Sequence, residues 1–229
     1  HIADNFWSDE GDGDPVSLED ETAGPRQLNL LTRYQYENAV SDLLGVDAAN
    51  ITTNFPTEAR VKGFSNNAAK NFVSARHFDE YMRAAEQLAD DAVSNQKGTL
   101  LPCDENADGC AQQFVDNFGL KAFRRPLTHE ERTGYLDLFQ DQGDFTSGMT
   151  AVIEAMLISP NFLYISELGE AQGNGVYRLT PFEVASQLSF IFQGTIPDDA
   201  LLSAAANNQL ETPEQLAAQA HRLQETEQA

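Results

Sequence analysis

Residues 31–45 read LTRYQYENAVSDLLG, and their order predicts a single amphipathic helix. Thr32 and Gln35 have capping-box spacing, in which the threonine hydroxyl accepts the N3 backbone N–H and the N3 side chain reaches back to the cap. Tyr36, Val40, Leu43 and Leu44 then share one face, and Gly45 offers the left-handed residue on which helices end. From Leu28 onward this helical grammar dominates. Ser74 opens a long helix with apolar positions at Phe78, Tyr81, Met82, Ala85, Leu88 and Val93, ending near Gly98. Phe114, Phe118, Leu120 and Phe123 lead to Arg124-Arg125-Pro126, where the proline stops the helix because it has no N–H to donate.

Further starts follow. Thr128 with Glu131 caps a helix through Tyr135, Leu136, Leu138 and Phe139, and Gly143-Asp144 makes the turn after it. The stretch Phe145 to Ile158, with Met149, Val152, Ile153, Met156 and Leu157, is too apolar for a surface helix and is placed at the centre of the core. Thr180-Pro181-Phe182-Glu183 and Thr212-Pro213-Glu214-Gln215 each combine an N-cap threonine, an N1 proline and an acid or amide at N3. Between them Ile196-Pro197-Asp198 starts a shorter helix through Leu201 and Leu202. Phe55-Pro56 to Asn66-Asn67 reads as a loop, and strand signals are poor apart from a short extended piece at Val176 to Leu179. The expected fold is all-α, an irregular bundle of about 6–9 helices.

Composition bounds the rest. The 229 residues suit one large helical domain or two small ones, and 41% hydrophobic residues with 14 Phe can build a core. Fourteen Lys and Arg against 36 Asp and Glu leave a formal net charge of −22, which repels nucleic-acid phosphates and anionic lipid heads. No apolar run approaches the ~20 residues that cross a bilayer. The N-terminus lacks a charged segment followed by an apolar stretch, so an export signal is expected to have been removed or to lie upstream. Residues 1–26 hold Asp9, Glu10, Asp12, Asp14, Glu19, Asp20 and Glu21 without apolar periodicity, an acidic tail or linker that Phe6 and Trp7 could pin to the body. Helical blocks are then expected at 27–100, 101–170 and 171–229.

Two cysteines, Cys103 and Cys110, flank a polar, turn-prone loop and lack the further Cys or His ligands of a zinc site. They read as a disulfide and hence as a mark of an oxidising compartment, the alternative being two reduced neighbours.

Several strings resemble landmarks of a known series. LTRYQYENAVSDLLG at 31–45 and Gly63-Phe64-Ser65-Asn66-Asn67 are similar to the opening of a domain family abundant in planctomycetes, myxobacteria and some marine proteobacteria. The cysteine loop, Phe123-Arg124-Arg125-Pro126-Leu127-Thr128 and Ile158-Ser159-Pro160-Asn161-Phe162-Leu163-Tyr164 resemble a second block. Leu188-Ser189-Phe190-Ile191-Phe192 with Ile196-Pro197-Asp198-Asp199-Ala200-Leu201-Leu202 resembles the start of a third, in which many relatives carry a Trp where this chain has Phe192-Gln193 and which is expected to be longer than the part present. These are the domains of unknown function numbered 1587, 1595 and 1592. The resemblance implies a helical module of large exported proteins, periplasmic, outer-surface or secreted, many of which also carry a haem c domain. It implies no catalytic residues. The partners it suggests are other domains of the same polypeptide, a haem c domain or a carbohydrate-binding module.

Candidate chemistry is sparse. Covalent haem c attachment needs Cys-x-x-Cys-His, and neither cysteine is followed by His. His1, His77, His129 and His221 are scattered; His1 is read as a scar in the tail rather than a copper ligand, His129 and His221 as solvated, and His77 as partly buried beside Phe78. Asp104-x-Asn106-x-Asp108-Gly109 resembles the front half of a calcium loop, with Val115 at the twelfth position and Asp116 one step beyond. Asp104, Asn106 and Asp108 are therefore the candidate calcium ligands, the alternative being an ordinary disulfide-closed turn. Paired acids such as Asp198-Asp199 and Glu130-Glu131 point in different directions on a helix, and no Gly-x-Ser-x-Gly occurs. Arg124 and Arg125 are expected to tie down carboxylates or helix ends, with an anion or partner site as the sharper reading. The expected function is a non-catalytic interaction or scaffold module; the alternatives are part of an extracellular oxidoreductase or polysaccharide-active enzyme, and a calcium-stabilised adhesion domain.

Overall fold

The computed structural model describes residues 26–59, 68, 71 and 73–225. His1, Phe6, Trp7, the acids from Asp9 to Asp14 and the Gly63–Asn67 string lie outside them. The described chain runs β1 (Gln27–Leu30), α1 (Arg33–Leu44), a 3-10 turn (Thr52–Asn54), α2 (Ala75–Leu100), α3 (Cys110–Phe123), α4 (His129–Asp141), α5 (Phe145–Leu157), α6 (Pro160–Leu163), β2 (Tyr164–Glu167), β3 (Glu170–Gly173), β4 (Val176–Arg178), α7 (Pro181–Phe192), α8 (Asp199–Ala206) and α9 (Pro213–Gln224).

The caps read from sequence are formed. Reciprocal capping boxes close at Thr32/Gln35, Ser74/His77, Thr128/Glu131, Thr180/Glu183 and Thr212/Gln215. Asp144 caps α5 through the Ser147 N–H, and Asp198 caps α8 through the Leu201 N–H. As expected, α5 is central: Met149, Val152, Ile153, Met156 and Leu157 are fully buried, and the helix packs along α2 and α4. Its contact with α4 depends on Gly148, where a Cβ would stand 2.8 Å from the Phe139 ring.

One large core runs from Leu30 to Ile165 and takes in Phe190 and Ile196. At its heart the fully buried Tyr36 ring meets Phe55, Tyr81 and Phe162 at centroid distances of 5.1, 5.5 and 5.7 Å. A second, smaller core joins Ala185, Leu201, Ala204, Ala205, Leu210 and Leu223 across α7, α8 and α9. Phe78 and Met82, assigned from sequence to the apolar face of α2, are 44% and 40% exposed.

The all-α expectation needs correction, because two small antiparallel sheets accompany the helices. In the first, β1 pairs with β2 in the register Leu28↔Ser166 and Leu30↔Tyr164. Gln27–Leu30 is therefore a strand rather than a lead-in to the first helix, since its partner lies more than a hundred residues away and leaves no local signal. In the second, β3 and β4 form a hairpin around Asn174 and Gly175, both with positive φ (52° and 78°). This is the Asn-Gly two-residue turn whose twist matches that of paired strands. The extended piece expected at Val176 to Leu179 is its second strand.

Candidate functional site

A cavity of about 380 Å³ opens where β1–β2, the end of α3, α6 and the first turns of α7 meet. Strand alternation puts Leu28, Tyr164, Ser166 and Leu168 along one wall. Phe123 and Pro160 line another part, and Phe182, Glu183 and Ser186 on α7 another. Its charged groups are Arg124, Arg125 and Glu183.

Arg124 follows the last residue of α3 in the left-handed conformation, φ 58°, which an L side chain adopts at some strain. This turns the guanidinium inward, where the residue is only 3% exposed. Nη1 donates to the carbonyls of Ala122 and Phe162 at 3.3 and 3.1 Å, and Nη2 to those of Asn161 and Tyr164, both at 2.7 Å. The cation thus satisfies carbonyls at the ends of α3 and α6 that have no helical partner. Burial first, and then the neighbouring Arg125 charge, push its pKa down to about 10.

Arg125 makes a forked pair with Glu131, at 2.9 and 2.8 Å, and also reaches Asn161 Oδ1 at 3.2 Å. Hydrogen bonding from Arg125 is the main reason the Glu131 carboxyl is held down at about 2. The expectation that these arginines tie down a carboxylate and helix ends is met at both positions.

Glu183 completes the junction. As N3 of α7, its Oε2 accepts from the Thr180 N–H and hydroxyl at 2.9 and 3.0 Å. Its Oε1 accepts from the Ser166 hydroxyl and the Leu168 and Gly169 N–H groups at 2.9, 2.9 and 3.1 Å. Burial works to raise its pKa, but these donors outweigh it and hold the carboxyl below the ordinary range. The sequence identified Glu183 only as half of a capping box; that its other oxygen fastens α7 to the β2–β3 turn carries no sequence signal.

The remaining candidates lie outside this cavity. Cys103 and Cys110 are bridged, with Cα atoms 5.7 Å apart. In the loop they close, Asp104 Oδ1 accepts from the Asn106 N–H at 2.9 Å and its side-chain amide at 3.2 Å, so this carboxylate organises its own turn. Asp108 is exposed. Val115 is buried in α3, and Asp116 is forked onto Arg132 at 2.6 and 3.0 Å. Among the described residues no three His, Cys, Asp or Glu side chains gather as metal ligands do. His77 Nδ1 faces the Ser74 N–H and hydroxyl at 3.2 and 2.8 Å, capping α2, and burial lowers its pKa. His129 and His221 are exposed, as expected. Asp198 holds Arg222 at 2.6 Å while Asp199 meets Lys121 at 2.9 Å, so this acid pair diverges.

The fold and the junction define a mostly helical, disulfide-stapled chain whose sequential segments share contacts. Residues 29–94 match the family described as Protein of unknown function (DUF1587), residues 110–167 match DUF1595 and residues 179–229 match DUF1592. The chain belongs to this series and carries the three families in that order. No curated protein and no solved structure matches it. The cavity lies between the second and third matched segments, with Leu28 contributed from the strand that leads into the first.

Proposed function

We propose that the chain is a non-catalytic helical interaction or scaffold module of an exported multidomain protein, positioning a haem c or carbohydrate-binding domain of the same polypeptide. The observation that carries this reading is the commitment of the junction's charges. Arg124 is spent on backbone carbonyls, Arg125 on Glu131, and Glu183 on five donors from the Thr180 cap, Ser166 of β2 and the β2–β3 turn. Groups so engaged hold segments together and leave no convergent acid–base pair of the kind hydrolysis requires. Export is supported by the Cys103–Cys110 bridge, since such bonds persist in oxidising compartments. No described helix is long and apolar enough to cross a membrane. The net charge of −22 favours a protein or neutral-glycan neighbour over nucleic acid.

The test is expression of the chain with an export signal in a host that matures c-type cytochromes, followed by spectroscopy, turnover assays and co-elution with the rest of its polypeptide. The expected result is co-elution, no Soret band and no turnover of polysaccharide or redox dyes by the chain alone. A stoichiometric Soret band, or turnover by the isolated chain, overturns the reading.

A further inference from the structure

The charged side chains at the cavity are committed within the protein. Arg124 gives its four Nη bonds to carbonyls, Arg125 bonds Glu131, Asn161 and the Pro126 carbonyl, and Glu183 accepts five donors. The smaller polar side chains are engaged as well: Asn161 donates to Glu131 at 3.0 Å, and Ser186 to the Phe182 carbonyl at 3.0 Å. What the cavity offers an occupant is therefore its apolar wall, where a charged or strongly polar group would lose its hydration without finding a partner. Leu28 and Leu168 stand 45% and 38% exposed on that wall, with Phe182 on the α7 side. At about 380 Å³ the cavity is at the small end of binding clefts, a size that suits one ring system.

The N-terminal part of the chain joins the body beside this wall. Arg26 directly precedes β1; its Nε donates to the Leu168 carbonyl at 2.6 Å, and its guanidinium lies 3.9 Å from the centre of the Tyr177 ring. Among the residues before Arg26, Phe6 and Trp7 are the only Phe, Tyr or Trp, and Trp7 is the single tryptophan of the protein. The chain from Trp7 to Arg26 spans about 65 Å fully extended and about 25 Å as a random coil, so Trp7 is within reach of a wall that starts at the residue bonded to Arg26. Seven acids from Asp9 to Glu21 lie between Trp7 and Arg26. Arg26 and Arg178, the residue after Tyr177, form no ion pair with a carboxylate among the described residues.

We propose that the mouth of this cavity docks the protein's own N-terminal segment in cis, with the Trp7 indole against Leu28, Leu168 and Phe182 and the acids that follow it passing Arg26 and Arg178. An aromatic side chain is the largest apolar area such a short segment can bury, and an indole suits a site with one greasy wall and one open side. The tether makes docking intramolecular, and the high effective concentration of a short linker offsets the cost of ordering the segment. A second copy of the chain is the poorer occupant, because two molecules of net charge −22 repel. The inference stands whether or not the chain positions another domain.

The single tryptophan makes the test direct, because the fluorescence of the 229-residue chain under tryptophan-selective excitation reports on Trp7 alone. The expected result is emission blue-shifted from that of the same chain in urea, several-fold less quenching by acrylamide, and no dependence of either on protein concentration. Trp7→Ala, a change outside the folded body, is expected to move the amide resonances of Leu28, Leu168, Gly169 and Phe182. Leu168→Glu, at a partly exposed position, is expected to return the emission toward the urea value while the helical circular dichroism is kept. Ile191→Glu, on the most exposed large apolar residue of the described chain, at 71%, is expected to leave the emission unchanged. A urea-like Trp7 spectrum in the wild-type protein overturns the proposal, and so does a blue shift that grows with protein concentration, which marks a second copy as the occupant. Amide changes in Trp7→Ala that fall away from Leu28, Leu168, Gly169 and Phe182, or a blue shift lost in Ile191→Glu and kept in a folded Leu168→Glu protein, also overturn it.

Discussion

Replacing Arg124 by alanine removes the four bonds that its guanidinium makes to the carbonyls of Ala122, Asn161, Phe162 and Tyr164. At about 1.5 kcal/mol for each bond from a charged donor, the gross loss is about 6 kcal/mol. Part of this is returned, because the wild-type protein buries a cation that pairs with no carboxylate among the described residues. The fall in pKa from 12.5 to about 10 corresponds to about 3 kcal/mol. The net expectation is a destabilisation of about 3 kcal/mol, or a fall of roughly 6–12 °C in thermal midpoint for a chain of this size. The left-handed backbone at φ 58° adds an internal control. Arg124→Gly loses the same bonds but relieves about 1 kcal/mol of strain, so the glycine variant should be more stable than the alanine variant by about that amount. Urea unfolding followed by far-ultraviolet circular dichroism measures all three proteins. If Arg124→Ala lies within about 1 kcal/mol of wild type, or the glycine variant is no more stable than the alanine one, the assigned role of Arg124 is wrong.

His77 accepts the Ser74 N–H only when neutral, and a proton on it would also set a cation at the N-terminus of α2. Burial lowers its pKa below 6.5, Glu58 acting to raise it and Arg76 to lower it, so the unfolded chain takes up the proton first. The stability His77 contributes is therefore present above about pH 6.5 and is lost as the pH falls below it, and His77→Gln, which keeps an N3 acceptor, should flatten this part of a midpoint-against-pH curve. Glu183→Gln places an amide N–H₂ against backbone donors at Leu168 and Gly169 or at Thr180, and should lower stability by about 2 kcal/mol with faster hydrogen exchange at Leu168 and Gly169. Reduction of Cys103–Cys110 should raise the mass by about 2 Da and lower stability by about 2 kcal/mol; thiols that alkylate under denaturing conditions before reduction would contradict the bridge.

The helices were legible because their starts are local. At each box a Ser or Thr bonds a backbone N–H three residues ahead, as Thr32 does to Gln35 and Thr180 to Glu183, so the side chain and its partner lie within one turn of sequence. The bridge of Cys103 to Cys110 and the central place of α5 follow from equally short-range patterns, cysteine spacing in one case and unbroken apolarity in the other. The hairpin signal at Asn174-Gly175 was also present in the sequence, and there the helical reading passed over a turn it contained. Other features had no local trace. Strand β1 exists because Gln27–Leu30 finds Tyr164–Glu167, and four residues cannot announce a partner that distant. Arg124 could be read as a cation near a helix end, but its inward turn depends on carbonyls 37 to 40 residues further along the chain. Leu28, Leu168 and Phe182 become a cavity wall only once those segments have docked. Sequence alone determined where the capping-box helices begin, because capping is chemistry between near neighbours; tertiary structure decided where they meet and what lines the space between them, because the groups that form that space are far apart in the chain and come together only when the core is buried.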